Sequence, residues 1–102
     1  MRDIHPAFTR FKAEFPEVHA REEALGQAIH EGGGPLDAKT RCLLKVAVAG
    51  ATRHARALET HLAKAREAGA SEEELRHALL LLISTCGFPT FMEAYQVYQR
   101  GP

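Results

Sequence analysis

The segment from Ser71 to Ile83, SEEELRHALLLLI, constrains the fold more than any other stretch of the chain. It opens on a capping-box pattern. The Ser71 hydroxyl can accept a bond from the backbone N–H three residues on, while the Glu74 carboxylate reaches back to the backbone of Ser71. A helix from Glu72 to about Thr85 follows. Leu75, Leu79, Leu82 and Ile83 are expected to be buried, and Leu80 and Leu81 spread the apolar surface beyond one stripe. A helix that is apolar on more than one face must be covered on all sides. Each large apolar side chain buried contributes roughly 1.5–3 kcal/mol. A chain of 102 residues offers few elements to do the covering, so a homo-oligomer is the simplest expectation.

The other elements read as helices as well. Pro16 suits a first helical turn and acidic residues follow it. Val18, Leu25, Ala28 and Ile29 form a stripe, and Gly32, Gly33 and Gly34 end that helix. A short helix around Phe8 to Phe15 precedes it. Asp37 is a good N-cap for DAKTRCLLKVAVAG. That segment is apolar from Cys42 to Ala49 except at Lys45, so periodicity alone cannot separate helix from buried strand. The cap and the neighbouring helices decide for helix. Gly50 and Thr52 predict a break, with Thr52 as cap of a helix from Arg53 to Ala68 that carries Ala57, Leu58, Leu62 and Ala65 on its inner face. Gly69 is the expected stop. Gly87 and Pro89 cannot continue a regular helix, and a last helix from Thr90 to Arg100 carries Phe91, Ala94, Tyr95 and Tyr98. The fold class is all-α, with five to six helices in a single domain over residues 1–102.

Thirteen basic residues balance thirteen acidic ones, which points away from nucleic acid and from anionic membranes. The longest apolar run, residues 78–83, is too short to span a bilayer. The N-terminal MRDIHPAF lacks the apolar core of a secretion signal, so the expected location is the cytoplasm. In that reducing compartment Cys42 and Cys86, whose spacing fits no redox or zinc motif, are expected to be thiols.

Three segments resemble the carboxymuconolactone decarboxylase family, which includes the alkylhydroperoxidase D-like proteins. They are PLDAKTRCLLKVAVA, THLAKAREAGASEEELRHA from Thr60, and TCGFPTFMEAYQVY from Thr85. The resemblance runs from about Phe15 to Tyr98. It implies an all-α fold with two central antiparallel helices, assembled as a homotrimer or homohexamer, with an active site near the start of the helix that carries His61. In the alkylhydroperoxidase D branch a glutamate, a Cys-x-x-Cys pair and a histidine share the chemistry. Their positions fall here on Cys42, on His54 and Ala57, and on His61, so only the histidine is retained. The decarboxylase branch also lacks the cysteine pair, keeps the histidine and carries a Gly-x-Pro that Gly87-Phe88-Pro89 matches. A peroxiredoxin-type activity comes with the family as a label. Dithiol chemistry needs a low-pKa thiolate with a resolving thiol beside it, and this chain has neither at those positions.

His61 is therefore the main candidate for a general acid/base, with His54 and Cys42 as neighbours. Cys86 and Phe88, beside the Gly-x-Pro, are candidates for the rim of a substrate pocket. Each has a plainer reading. His61 can be a structural histidine bonded to a neighbouring carbonyl, and Cys42 a small buried hydrophobe. A metal held by His54 and His61 is not expected. Seven helical residues separate them by about 10.5 Å, and two imidazoles share an ion far more easily at four-residue spacing. His5, His19, His30 and His77 show no partner pattern, although His77 falls near a face that can meet another subunit. The first expectation for function is cofactor-free proton-transfer chemistry on a small organic acid or lactone. The alternatives are a non-catalytic helical protein binding a small molecule or a partner, and a thiol peroxidase working through Cys42.

Overall fold

The computed structural model describes residues 6–101, which form six helices: α1 (Pro6–Glu14), α2 (Pro16–Gly32), α3 (Ala38–Ala51), α4 (Ala55–Glu67), α5 (Glu72–Cys86) and α6 (Phe88–Gln99). His5 lies outside the described residues. The fold is all-α, and the chain divides after Pro35 into two compact units.

In the first unit α1 and α2 meet at Phe15, which leaves the helical region (φ −132°, ψ 63°) ahead of Pro16. Aromatic rings hold the corner. Phe8 and Phe11 both meet His19 edge-on, at 5.6 and 6.2 Å between ring centres. His19, which shows no partner in the sequence, thus has an aromatic one. Neither helix buries a residue fully, and Val18, Leu25 and Ile29 on α2 stay exposed.

The second unit holds every fully buried apolar side chain among the described residues, with Val46, Leu58, Leu75 and Leu79 the largest. Side-chain pairs fix its helix directions. Lys39 near the start of α3 bonds Glu74 near the start of α5, and Gly50 near the end of α3 faces Leu79 and Leu82, so α3 and α5 run the same way. Tyr98 at the end of α6 bonds Glu72 at the start of α5, so α6 runs opposite to α5. Arg53 just ahead of α4 reaches Thr90 in the first turn of α6, and Glu59 pairs with Arg100, so α4 follows α6. The four helices therefore alternate up and down, and α3 and α4 form an antiparallel hairpin.

Local chemistry explains the element ends. The Asp37 carboxylate accepts the Thr40 N–H at 2.8 Å, and that bond holds its carboxyl below the usual range. Both bonds of the Ser71–Glu74 capping box form, at 3.0 and 2.9 Å. The Thr52 cap falls elsewhere. Its hydroxyl donates back to Val48 O at 2.8 Å, so Thr52 closes α3, and α4 starts at Ala55 with His54 in the cap position. Ile83, expected inside, is 39% exposed, because Leu75, Leu79 and Leu82 already fill the inward stripe of α5.

The ends of α3 and α4 share one motif. After α3 the Arg53 N–H donates to Gly50 O and the His54 N–H to Ala49 O; after α4 the Gly69 N–H donates to Arg66 O and the Ala70 N–H to Ala65 O. The motif needs a left-handed residue, usually glycine. Gly69 supplies it at φ 96°, but at the end of α3 the residue is Arg53 at φ 61°, the only non-glycine with positive φ among the described residues. A side chain there costs about 1–2 kcal/mol.

Candidate functional site

The turn that joins α3 to α4 opens a cleft of about 30 Å³, walled by Ala49, Leu58, Ala94 and Val97 and rimmed by Arg53, His54 and Glu93. Gly50 lets the helices close on its inner end, since an added Cβ would stand 3.3 Å from the Ala94 methyl. The Arg53 guanidinium donates to the Thr90 hydroxyl at 3.1 Å, and its other amino group lies 3.6 Å from the Glu93 carboxylate. Thr90 is buried, while Arg53 and Glu93 are both more than half exposed. His54 is exposed on the rim, with Nδ1 3.2 Å from the Thr52 hydroxyl, so Nε2 is the ring nitrogen left for a ligand.

The candidate residues do not all gather there. His54 is on the cleft, but it precedes α4 instead of lying on it, so it and His61 are not two points on one helical stripe. His61 is half-buried one turn beyond Leu58, at the edge of the inward face of α4, and it does not line the cleft. Cys42 is a half-buried free thiol packed against the core from α3. Cys86 is an exposed free thiol at the end of α5, 3.5 Å from the Thr85 hydroxyl. Phe88 is exposed at the start of α6, with its ring 6.0 Å from that of Phe91. No group of three or more His, Cys, Asp or Glu side chains among the described residues is placed to hold a metal ion.

Sequence reasoning missed Arg53, Thr90 and Glu93. Arg53 had no local signal: its left-handed backbone shows only once α3 is seen to end at Ala51 and α4 to start at Ala55.

A second, larger groove of about 320 Å³ runs between α3 and α5, lined by Leu43, Leu44, Ala47, Ala78 and Leu81, with Glu74 and His77 also on its walls. Leu44, Val48, Leu80 and Leu81 are each at least half exposed. At the start of α5 the Arg66 guanidinium grips Glu72 through two bonds, at 2.8 and 3.1 Å, and the Tyr98 hydroxyl donates a third at 2.9 Å. The Arg66 bond first, and the Tyr98 bond second, hold the Glu72 carboxyl at about 2. This cluster ties three helix ends together and lines neither cleft. No helix among the described residues is long and apolar enough to cross a membrane.

A model of the carboxymuconolactone decarboxylase family matches residues 16–100. No curated protein matches the sequence.

Proposed function

The chain belongs to the carboxymuconolactone decarboxylase family, and on that premise we propose cofactor-free proton transfer on a small organic acid or lactone, with His61 on α4 and His54 on the cleft as the acid/base residues. The observation that carries this reading is the placement of His54, an imidazole on the rim of an apolar-walled cleft at the start of the helix that carries His61. In a decarboxylation the bond to the carboxylate carbon breaks, carbon dioxide leaves, and the electron pair remains on the substrate as an enolate. An imidazolium then delivers a proton to carbon and is recharged from solvent. A histidine suits that step because it exchanges protons near neutral pH. Peroxide reduction by a dithiol is set aside, since His54 and Ala57 stand where the pair would be.

The test is turnover on a panel of small lactones and unsaturated acids, with His61→Ala and His54→Ala beside the parent protein. His61→Ala removes turnover and leaves the thermal unfolding midpoint within a few degrees. His54→Ala lowers turnover. Undiminished turnover in His61→Ala rejects the assignment.

The same reading includes self-assembly. Leu44, Val48, Leu80 and Leu81 present an apolar face on α3 and α5 that a second copy would cover. Multi-angle light scattering should then give three or six times the 11.2 kDa chain mass. Leu44→Glu with Leu81→Glu should lower that mass. A parent protein that runs as a monomer at micromolar concentration removes the assembly from the proposal.

A further inference from the structure

We propose that Arg53 is the carboxylate-binding residue of the α3–α4 cleft, kept for that purpose at a backbone position suited to glycine. The inference deepens the acid/base reading and rests on it for the identity of the site. Its starting point is the paired helix ends. Two motifs with the same hydrogen bonds close α3 and α4, one with Gly69 in the left-handed position and the other with Arg53. Glycine occupies that conformation without strain. The arginine must therefore be explained by what its side chain does.

The side chain has two visible contacts. One amino group donates to Thr90, which anchors the guanidinium at the start of α6, and Arg53 itself lines the cleft. The other is 3.6 Å from Glu93, beyond good hydrogen-bond length, in a pair that is more than half exposed. Such a pair contributes little to stability, and it gives way at small cost to a better acceptor. The guanidinium fork matches a carboxylate with two parallel bonds. The cleft is of the right size for that group. Its roughly 30 Å³ takes about two water-sized atoms on the scale of one probe sphere per water, which corresponds to the two oxygens of one carboxylate. Ala49, Leu58, Ala94 and Val97 wall that space and His54 flanks it; the carboxylate fills it, so the rest of the ligand extends outward through the mouth. The ligand class is thus a small monocarboxylate, held by its head group. Glu93 is its competitor for Arg53.

Crotonate, with neutral crotonamide as control, tests this on the intact protein. Binding is followed by NMR through the His54 ring signals and through backbone amides of the α3–α4 turn. The parent protein shows saturable shifts with crotonate and none with crotonamide. Arg53→Gly weakens crotonate binding at least tenfold while its thermal midpoint stays level or rises, because the backbone strain is relieved. Arg53→Asn, which also tolerates the left-handed conformation, gives the same loss if the glycine variant fails to fold. Glu93→Gln tightens binding severalfold. The proposal is overturned if the parent protein does not bind crotonate, or if the Arg53 variants bind it as well as the parent. A lower midpoint with full affinity would make Arg53 a structural pin between the turn and α6. Binding is read without turnover, so an inactive protein that binds through Arg53 rejects the acid/base reading and leaves this assignment standing.

Discussion

Replacing Gly50 with alanine sets helix propensity against packing at one position, and the structure decides which wins. Gly50 lies within the last turn of α3, where alanine is worth up to about 1 kcal/mol over glycine in a helix interior. Its missing Cβ would stand 2.9 Å from a Leu82 methyl, 3.3 Å from the Ala94 Cβ and 3.6 Å from a Leu79 methyl. The Leu82 methyl is the end of a flexible side chain, but Leu82 is 3% exposed and has little room to turn. The Ala94 Cβ is fixed to the backbone of α6, so only a shift of the helix relieves it. Overpacking a core of this kind costs about 1–3 kcal/mol. The net expectation is a loss of about 1 kcal/mol, or roughly 4–8 °C in the unfolding midpoint for a domain of this size. Circular dichroism at fixed protomer concentration measures it, since any assembly adds a concentration term. The same change made in an Ala94→Gly background should cost at least about 0.5 kcal/mol less, because the facing methyl is gone. Gly50→Ala as stable as the parent, or equally harmful in both backgrounds, would refute the three-helix close approach at this point.

Other outcomes follow from single groups. Ser71→Ala removes the acceptor of the Glu74 N–H and should cost about 1 kcal/mol, read as a lower urea midpoint with an unchanged slope. Leu79→Ala, at a fully buried site, should cost about 2–5 kcal/mol. The Glu72 carboxyl is held at about 2 in the folded protein against an ordinary 4.5. Its contribution is therefore fully present above about pH 4.5 and is lost as pH falls toward 2. Half of the Glu72 side chain is exposed, so solvent screening limits that loss to about 1 kcal/mol. Glu72→Gln should flatten the acid limb of a stability-versus-pH curve between those values, and an unchanged limb would disconnect Glu72 from acid unfolding.

The parts of the fold that were legible in the sequence are those written in local chemistry. Asp37 and the Ser71–Glu74 box satisfy N–H groups within three residues of themselves, so their meaning survives without tertiary context. Gly69 marked the end of α4 for the same reason, since few residues other than glycine take its φ of 96° cheaply. Thr52 was misplaced because a threonine hydroxyl serves two ends equally well: it can cap the helix that follows or, as here, bond back to the carbonyl of Val48. That one reassignment moved the start of α4 by two residues and took His54 off the helix. Ile83 was misread for a different reason. A run of four leucines followed by an isoleucine has no polar residue to mark its outer face, so the buried stripe depends on how α3 and α6 approach α5, which no window of α5 contains.

The candidate site divides along the same line. His61 was found through a resemblance, and its half-buried place beside Leu58 agrees with a residue between core and surface. The rim of the cleft was not found, because it is assembled from two segments 40 residues apart, Arg53 on the α3–α4 turn and Glu93 on α6. Neither residue is unusual in its own segment. What makes Arg53 conspicuous is its backbone, and backbone strain has no letter in the sequence. It becomes visible only when the end of α3 is laid beside the end of α4 and the same hydrogen bonds are seen to close over an arginine in one and a glycine in the other. The cheaper residue was available to this chain, which uses it sixteen positions later. A costly residue in a cheap position is a better guide to function here than either histidine taken alone, since neither imidazole carries a backbone cost that its side chain has to offset.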